Sequence, residues 1–218
     1  MLKVVVFDSG WGGELFADYI EEEIPILEVI REIDWRNAPY SARSEEEIFT
    51  LTETETAVRK YIGRVDVIVI AAYLMTAVTL EKLRRKYPEQ KFLGFNLRLS
   101  KNVGRKVIIL APVALVRTKS FAELSKSSVE QEICWAPCDG WEQLIDDGEM
   151  KQEILEETLS GVDKNSTVIL GSTHYQDVKV ELERMFGWQG SVVDDFRRML
   201  TEVCMALKLR GLDGRRRK

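Results

Sequence analysis

Asp66-Val67-Ile68-Val69-Ile70-Ala71-Ala72-Tyr73 and, one hundred positions later, Ser166-Thr167-Val168-Ile169-Leu170-Gly171-Ser172-Thr173 read as one element written twice. Each is a run of β-branched and aliphatic residues long enough for a buried strand, closed by two small residues before a helical pattern begins. In an open α/β sheet, ligands bind just beyond the carboxyl ends of the strands. Two equivalent strand ends therefore predict two facing half-sites, with Ala72 and Ser172 at their tips. Paired tips suit a reaction that needs one reactive group on each face of a substrate. Here one tip carries a methyl group and the other a hydroxyl, so the expectation is a two-sided site whose two-sided chemistry is lost.

On either side of these segments, strand and helix patterns alternate along the chain. Residues 2–8 read as a buried strand, followed by the Gly10-Trp11-Gly12-Gly13 turn and a helix that ends before Pro25. Residues 26–33 read as the next strand, and 34–43, with Pro39 and several polar residues, as a loop on the ligand side. Ser44-Glu45-Glu46-Glu47 has capping-box spacing, in which the hydroxyl and the carboxylate satisfy free backbone donors at a helix start. That helix is expected to run to about residue 62 and stop at Gly63. The strand over 67–71 leads to a helix through Lys86, ended by Pro88, and then to a short strand over 91–95. Residues 96–105 are polar and form the expected crossover between two halves. The second half repeats the scheme, with strands near 106–110, 129–134, 167–170 and 191–193 before an amphipathic helix over 196–209. Alternating βα units predict an α/β fold whose parallel sheets are covered by helices on both faces.

With 218 residues and 45% apolar side chains, the chain can fill one large core or two small ones. Charged residues at 31% and a net charge of -5 give no general attraction to nucleic acid or to an anionic membrane. The basic cluster Arg215-Arg216-Arg217-Lys218 reads as a solvated end. No stretch is long and apolar enough to span a bilayer, no charged-then-apolar leader opens the chain, and three cysteines make no disulfide framework. The expected location is cytoplasmic. Cys134 and Cys138 lie four apart, but with no second pair and a single histidine, His174, they fall short of the roughly four ligands of a zinc site. Neither a metal nor a cofactor is expected.

The motifs carry a resemblance. Phe7-Asp8-Ser9-Gly10-Trp11-Gly12-Gly13 resembles the F-D-S-G-V-G-G opening of bacterial glutamate racemases. Asp34, with Ala38-Pro39-Tyr40-Ser41-Ala42-Arg43-Ser44-Glu45-Glu46-Glu47-Ile48, is similar to their D-T-A-R-x-P-Y-G-x-[KR]-S-x-E-E-I segment. Ala71-Ala72-Tyr73-Leu74-Met75-Thr76-Ala77-Val78-Thr79-Leu80-Glu81 follows A-C-N-T-A-S-A-V-A-L-E, and Leu170-Gly171-Ser172-Thr173-His174-Tyr175 follows L-G-C-T-H-Y. Four motifs in family order identify the chain as a member of the aspartate/glutamate racemase superfamily. The resemblance implies two similar α/β domains with the site in the cleft between them. It also implies a C-terminal helix that returns to the first domain, dividing the chain into 1–96 plus 195–218 and 97–194. A homodimer and a small carboxylate or amino-acid ligand are further expectations.

The departures from the family pattern fall at the site. Family members remove an α-proton from one face and return it from the other with two cysteine thiols, which are accessible as thiolates once a pKa of about 8.5 is lowered. Those two positions match Ala72 and Ser172. An alanine carries no proton, and a serine needs an adjacent base to react. The family's polar Asn and Thr contacts match Tyr73 and Leu74, which are expected to fill the first half-site. The family's A-T after the fifth strand reads Ala111-Pro112, its E-P-G segment reads Leu97-Arg98-Leu99, and the chain is shorter than a typical member. The retained candidates are Asp8, Ser172 and His174 for proton transfer and Ser9, Pro39, Tyr40, Ser41 and Thr173 for binding, beside Tyr73 and Leu74.

Each retained piece also has a plainer reading. The glycines of the first turn permit a tight bend wherever positive φ is needed. Asp8 either caps the first helix or takes part in catalysis. His174 is the one group expected to titrate near neutrality, as a structurally bonded side chain or as a general base. No third group orients Ser172 and His174 into a hydrolase triad. Two functions stay open: a racemase homologue without catalysis, a pseudoenzyme that keeps at most a small-carboxylate cleft, and an active isomerase or lyase using Asp8, Ser172 and His174. An open polar cleft favours the enzyme; Tyr73, Leu74 and Met75 packed into it favour the degenerate protein.

Overall fold

The computed structural model describes residues 1–54, 57–99, 104–127, 131–187 and 192–209. The first half contains β1 (Lys3–Asp8), α1 (Trp11–Glu23), β2 (Glu28–Ile33), α2 (Glu45–Glu53), β3 (Val67–Ile70), α3 (Tyr73–Lys86) and β4 (Phe92–Gly94). The second contains β5 (Lys106–Ala111), α4 (Val113–Val116), α5 (Lys119–Ser127), β6 (Glu132–Pro137), α6 (Trp141–Asp146), α7 (Gln152–Thr158), β7 (Thr167–Leu170), α8 (Lys179–Phe186) and β8 (Val192–Val193), followed by α9 (Phe196–Ala206). Two four-stranded parallel sheets result, ordered β2-β1-β3-β4 and β6-β5-β7-β8. The repeat extends to single hydrogen bonds just past β3 and β7. Ala71 N–H donates to the Phe7 carbonyl at 2.7 Å, and Gly171 N–H donates to the Leu110 carbonyl at 2.8 Å.

Strand periodicity sorts the core. Val4 and Val6 join one apolar cluster while Val5 and Phe7 join another, so β1 is buried on both faces, as a parallel sheet under helices requires. The first of these clusters also takes in Val107 and Ile109 of β5 and Phe196, Met199 and Val203 of α9, so the two halves share apolar packing. The other face of the second sheet packs Ile108, Leu110, Val168 and Leu170 against Trp141, Tyr175 and Leu182.

Several expected boundaries move. The capping box at Ser44 and Glu47 forms, but α2 stops at Glu53 instead of continuing to residue 62. Thr52 and Thr54 turn their hydroxyls onto the Ile48 and Leu51 carbonyls. Such bonds, with β-branching, weaken a helix. Glu53 ends it as a buried carboxylate held by Arg59, Lys86 and Tyr87. The chain resumes as a short 3-10 turn over Val58–Tyr61, before Gly63 at a φ of 71°. The sixth strand is Glu132–Pro137, running past the expected end at residue 134; its expected start at residue 129 lies outside the described residues, as do 128 and 130. The last helix ends at Ala206. Residues 100–103 of the expected crossover and the Arg215–Lys218 cluster also lie outside the described residues.

Candidate functional site

The carboxyl ends of β1, β3, β5 and β7 converge on one cleft between the halves. It is lined by Asp8, Ser9, Tyr40, Ser41, Ala72, Tyr73, Leu74, Met75, Pro112, Glu142, Gly171, Ser172 and His174. Its cavity volume is about 20 Å³, room for about one water. A larger space of about 390 Å³ between α7 and α8 is a surface groove among charged side chains such as Glu156, Lys164 and Arg184, remote from the strand tips.

The second-half tip is a polar network. Ser172 lies two residues past β7 in extended backbone, and its hydroxyl donates to Glu142 Oε1 at 2.7 Å. His174 Nδ1 lies 2.7 Å from Asp146 Oδ1. Glu142 and Asp146 stand four residues apart on α6, hence on one helix face, so a single short helix supplies both carboxylates. Burial works to lower the His174 pKa. The hydrogen bond to Asp146 and the negative charges of Glu142 and Asp8 outweigh it and raise the pKa to about 9. His174 is therefore an imidazolium at neutral pH, contrary to the expected titration near neutrality. Asp8 of the same cleft lies nearer neutrality than His174. It is fully buried, and that burial pushes its pKa up to about 6, against lowering by His174 and by the Ser9 N–H.

Asp8 is also where the halves meet. Its carboxylate accepts from Ser9 N–H at 2.6 Å and from the Thr173 hydroxyl of the other half at 3.4 Å. The glycines beside it have a different purpose from the one expected. None of Gly10, Gly12 and Gly13 has positive φ; Gly10 is extended at −166°. Their hydrogens leave room for neighbours instead. A Cβ on Gly10 would lie 2.7 Å from His174 Cε1, one on Gly12 would lie 2.7 Å from Thr173 Cβ, and one on Gly13 would lie 2.7 Å from Ile33 Cδ1. Trp11 adds a bond across the halves, from Nε1 to Asp177 Oδ2 at 2.9 Å.

The first-half tip has no such network. Ala72 precedes α3 without any side-chain cap, leaving the first N–H groups of that helix without a capping side chain. Tyr73 lines the cleft as expected, but its hydroxyl turns away and donates to Asp195 Oδ2 at 2.9 Å. Its ring packs edge-on to Phe95 at 5.5 Å. Arg198 then ties Asp195 to Glu202 and to the Asn96 carbonyl. Asp34 is also committed: Asn37 and the Tyr40 hydroxyl both donate to it. Thr173 and Pro39, two of the expected binding residues, are absent from the lining, because Thr173 is turned onto Asp8 and Pro39 leads into the Tyr40–Ala42 turn.

Two members of the site, Glu142 and Asp146, are not apparent from the sequence. Asp146 is the orienting group for His174 that the motifs do not supply. Ser172 bonds to Glu142 and not to His174, so no serine–histidine nucleophile pair forms. Among the described residues, no group of three or more His, Cys, Asp or Glu is arranged to hold a metal ion. No described helix is long and apolar enough to cross a membrane.

No family model matches the chain. The glutamate racemase of Clostridium novyi (strain NT) is 31% identical over 205 residues, covering 88% of this chain and 78% of that protein. The glutamate racemase of Clostridium acetobutylicum is 30% identical over 189 residues, covering 81% and 73%. Among solved structures, Escherichia coli glutamate racemase in complex with L-glutamate and the activator UDP-MurNAc-Ala superposes with a TM-score of 0.83. It is 22% identical, over 100% of this chain and 86% of that one. At that identity the likeness speaks to the fold, two parallel α/β sheets flanked by helices.

Proposed function

The chain belongs to the glutamate racemase family, and we propose that it no longer racemises amino acids by the two-thiol route and keeps a small-carboxylate cleft. One observation carries this reading: Ala72 and Ser172 end equivalent strands and line the same cleft, and the alanine can neither give nor take a proton. Racemisation needs a proton carrier on each face. A positioned acid or base contributes about 10²–10⁴-fold, so losing one face removes most of the rate. The cleft's near closure by Tyr73, Leu74 and Met75 supports the same reading. Residues 1–96 with 195–218 act as one unit and 97–194 as the other, a division supported by the packing of α9 on α1 and β4.

Asp8 favours a second reading. It lines the cleft with a pKa raised to about 6, so it exchanges a proton near neutral pH and could replace the missing group. With Ser172 and His174 it would give an isomerase or lyase. Circular dichroism of L- and D-glutamate and of L- and D-aspartate with the purified protein separates the two. The first reading predicts no change in optical activity above a protein-free blank; enzyme-dependent decay towards the racemate supports the second.

A further inference from the structure

Two sets of contacts join the halves, and they differ in kind. On the α9 side the contact is apolar and broad. Phe196 packs its ring on Phe16 and Phe95, at 5.2 and 5.7 Å, and Val107, Ile109, Met199 and Val203 lie in the same cluster. The chain also passes between the halves on this side, where Arg198 of α9 donates to the Asn96 carbonyl. Parting here would expose that apolar surface, which is costly.

The side at the start of α1 is narrower and more polar. The Thr173 hydroxyl reaches Asp8 at a long 3.4 Å, and Gly10 and Gly12 pack directly on His174 and Thr173. Gln176, in the same turn as Thr173, has its side-chain oxygen buried without a hydrogen-bond partner among the described residues. At the solvent edge stands Trp11, 39% exposed, whose Nε1 donates to Asp177 Oδ2 at 2.9 Å. Among the described residues no lysine or arginine pairs with Asp177, and the indole is its one side-chain partner. An N–H bond to a carboxylate is stronger than one to a neutral acceptor. The family's opening motif has valine where Trp11 stands, and valine offers no donor.

We propose that Trp11 and Asp177 form a clasp. While bonded they keep the halves closed over the strand tips; when they release, the α1 seam parts about the α9 side and admits solvent to the cleft. A cleft with room for about one water exchanges its contents only through such a local opening. The clasp does not depend on what the cleft binds.

Position 173 reports the opening, since Thr173 is 3% exposed and packed against Gly12 of the other half. Thr173→Cys combined with Cys134→Ser replaces the exposed native thiol by a buried one at the seam. Its rate of modification by a small thiol reagent under native conditions follows the opening. The buried native Cys138, in the second core, and Cys204, on α9, are internal controls. Trp11→Phe and Asp177→Ala should each raise the rate at position 173 by about three- to tenfold, with Cys138 and Cys204 unchanged. The double variant should be no faster than either single one. No acceleration, equal acceleration at all three thiols, or multiplied effects in the double variant overturns the clasp. Hydrogen exchange of the protein with its native cysteines gives the same contrast without the reporter. Residues 173–177 should exchange faster in Trp11→Phe while 196–206 do not; unchanged exchange at 173–177 overturns the clasp as well.

Discussion

β3 and β7 hold the same place in their sheets, make the same backbone bond to the central strand and end one hundred residues apart, yet their carboxyl ends open onto different surroundings. After β7 the chain keeps a charged ladder in which Ser172, Glu142, His174 and Asp146 are bonded in pairs. After β3 it keeps a methyl group, and the next residue, Tyr73, is bonded to Asp195 and packed on Phe95. One tip is a polar network; the other borders the apolar core and the connection between halves. The two tips are held by different elements, α6 on one side and the start of α9 on the other.

The contrast between the tips is most exposed at the seam where the second tip enters the first half. Gly12→Ala puts a methyl group against Thr173 and His174, both buried. The expected loss of stability is about 3 kcal/mol, from overpacking without a flexible neighbour to give way. A denaturant titration measures it, and the double variant with Thr173→Gly should recover a large part of the loss. An additive pair would show that the seam is loose and that the glycines answer to something else.

The first-half strut is expected to matter less. Tyr73→Phe leaves the ring in place and removes the donor to Asp195, which keeps its ion pair with Arg198. The midpoint of urea unfolding should fall by the equivalent of about 1–2 kcal/mol. A neutral outcome would mean that Tyr73 is mere bulk in the cleft.

Stability should also depend on pH through the second tip. The folded pKa of His174 is raised to about 9, above its ordinary 6.5, so its contribution is complete below about pH 6.5 and fades as pH rises through 9. Asp8 has the same sign at lower pH. Its folded pKa of about 6 lies above the ordinary carboxylate value, so stability falls between about pH 4 and 6 as it ionises. Melting curves from pH 6.5 to 9.5 should therefore show a decline that His174→Gln flattens; an equal decline in both proteins would place the titration elsewhere.

The fold was legible because its signal is local and repeated: runs such as Val67–Ile70 and Thr167–Leu170 can only be buried strands, and their common offset aligns the halves. The half-site residues at the strand ends were legible for the same reason. Glu142 and Asp146 were not, although their spacing of four on a helix opened by Gly140 is a visible pattern. Nothing local says which strand end that face will meet. The direction of Tyr73 was hidden likewise, since its partner Asp195 lies 122 residues away. Burial raises the pKa of Asp8 and acidic neighbours raise that of His174 against its burial, and only the assembled cleft defines either.

The smallest expected effect is on activity. Ala72→Cys combined with Ser172→Cys returns the two thiols, but Tyr73, Leu74 and Pro112 still line the cleft and leave it almost closed. Turnover of glutamate should stay at the blank, because misplaced reacting groups forfeit the benefit of orientation. Recovered racemisation would show that only the acid and base had been lost.

Exchange of the α-hydrogen is the sharpest test of whether one face of the cleft has lost the ability to move a proton. L- and D-glutamate are incubated separately with the wild-type protein in heavy water, and the α-proton is followed by NMR. The expected result is no loss of that signal above a protein-free control for either enantiomer. Loss that saturates with substrate, converts one enantiomer to the other and disappears in Asp8→Asn would contradict it.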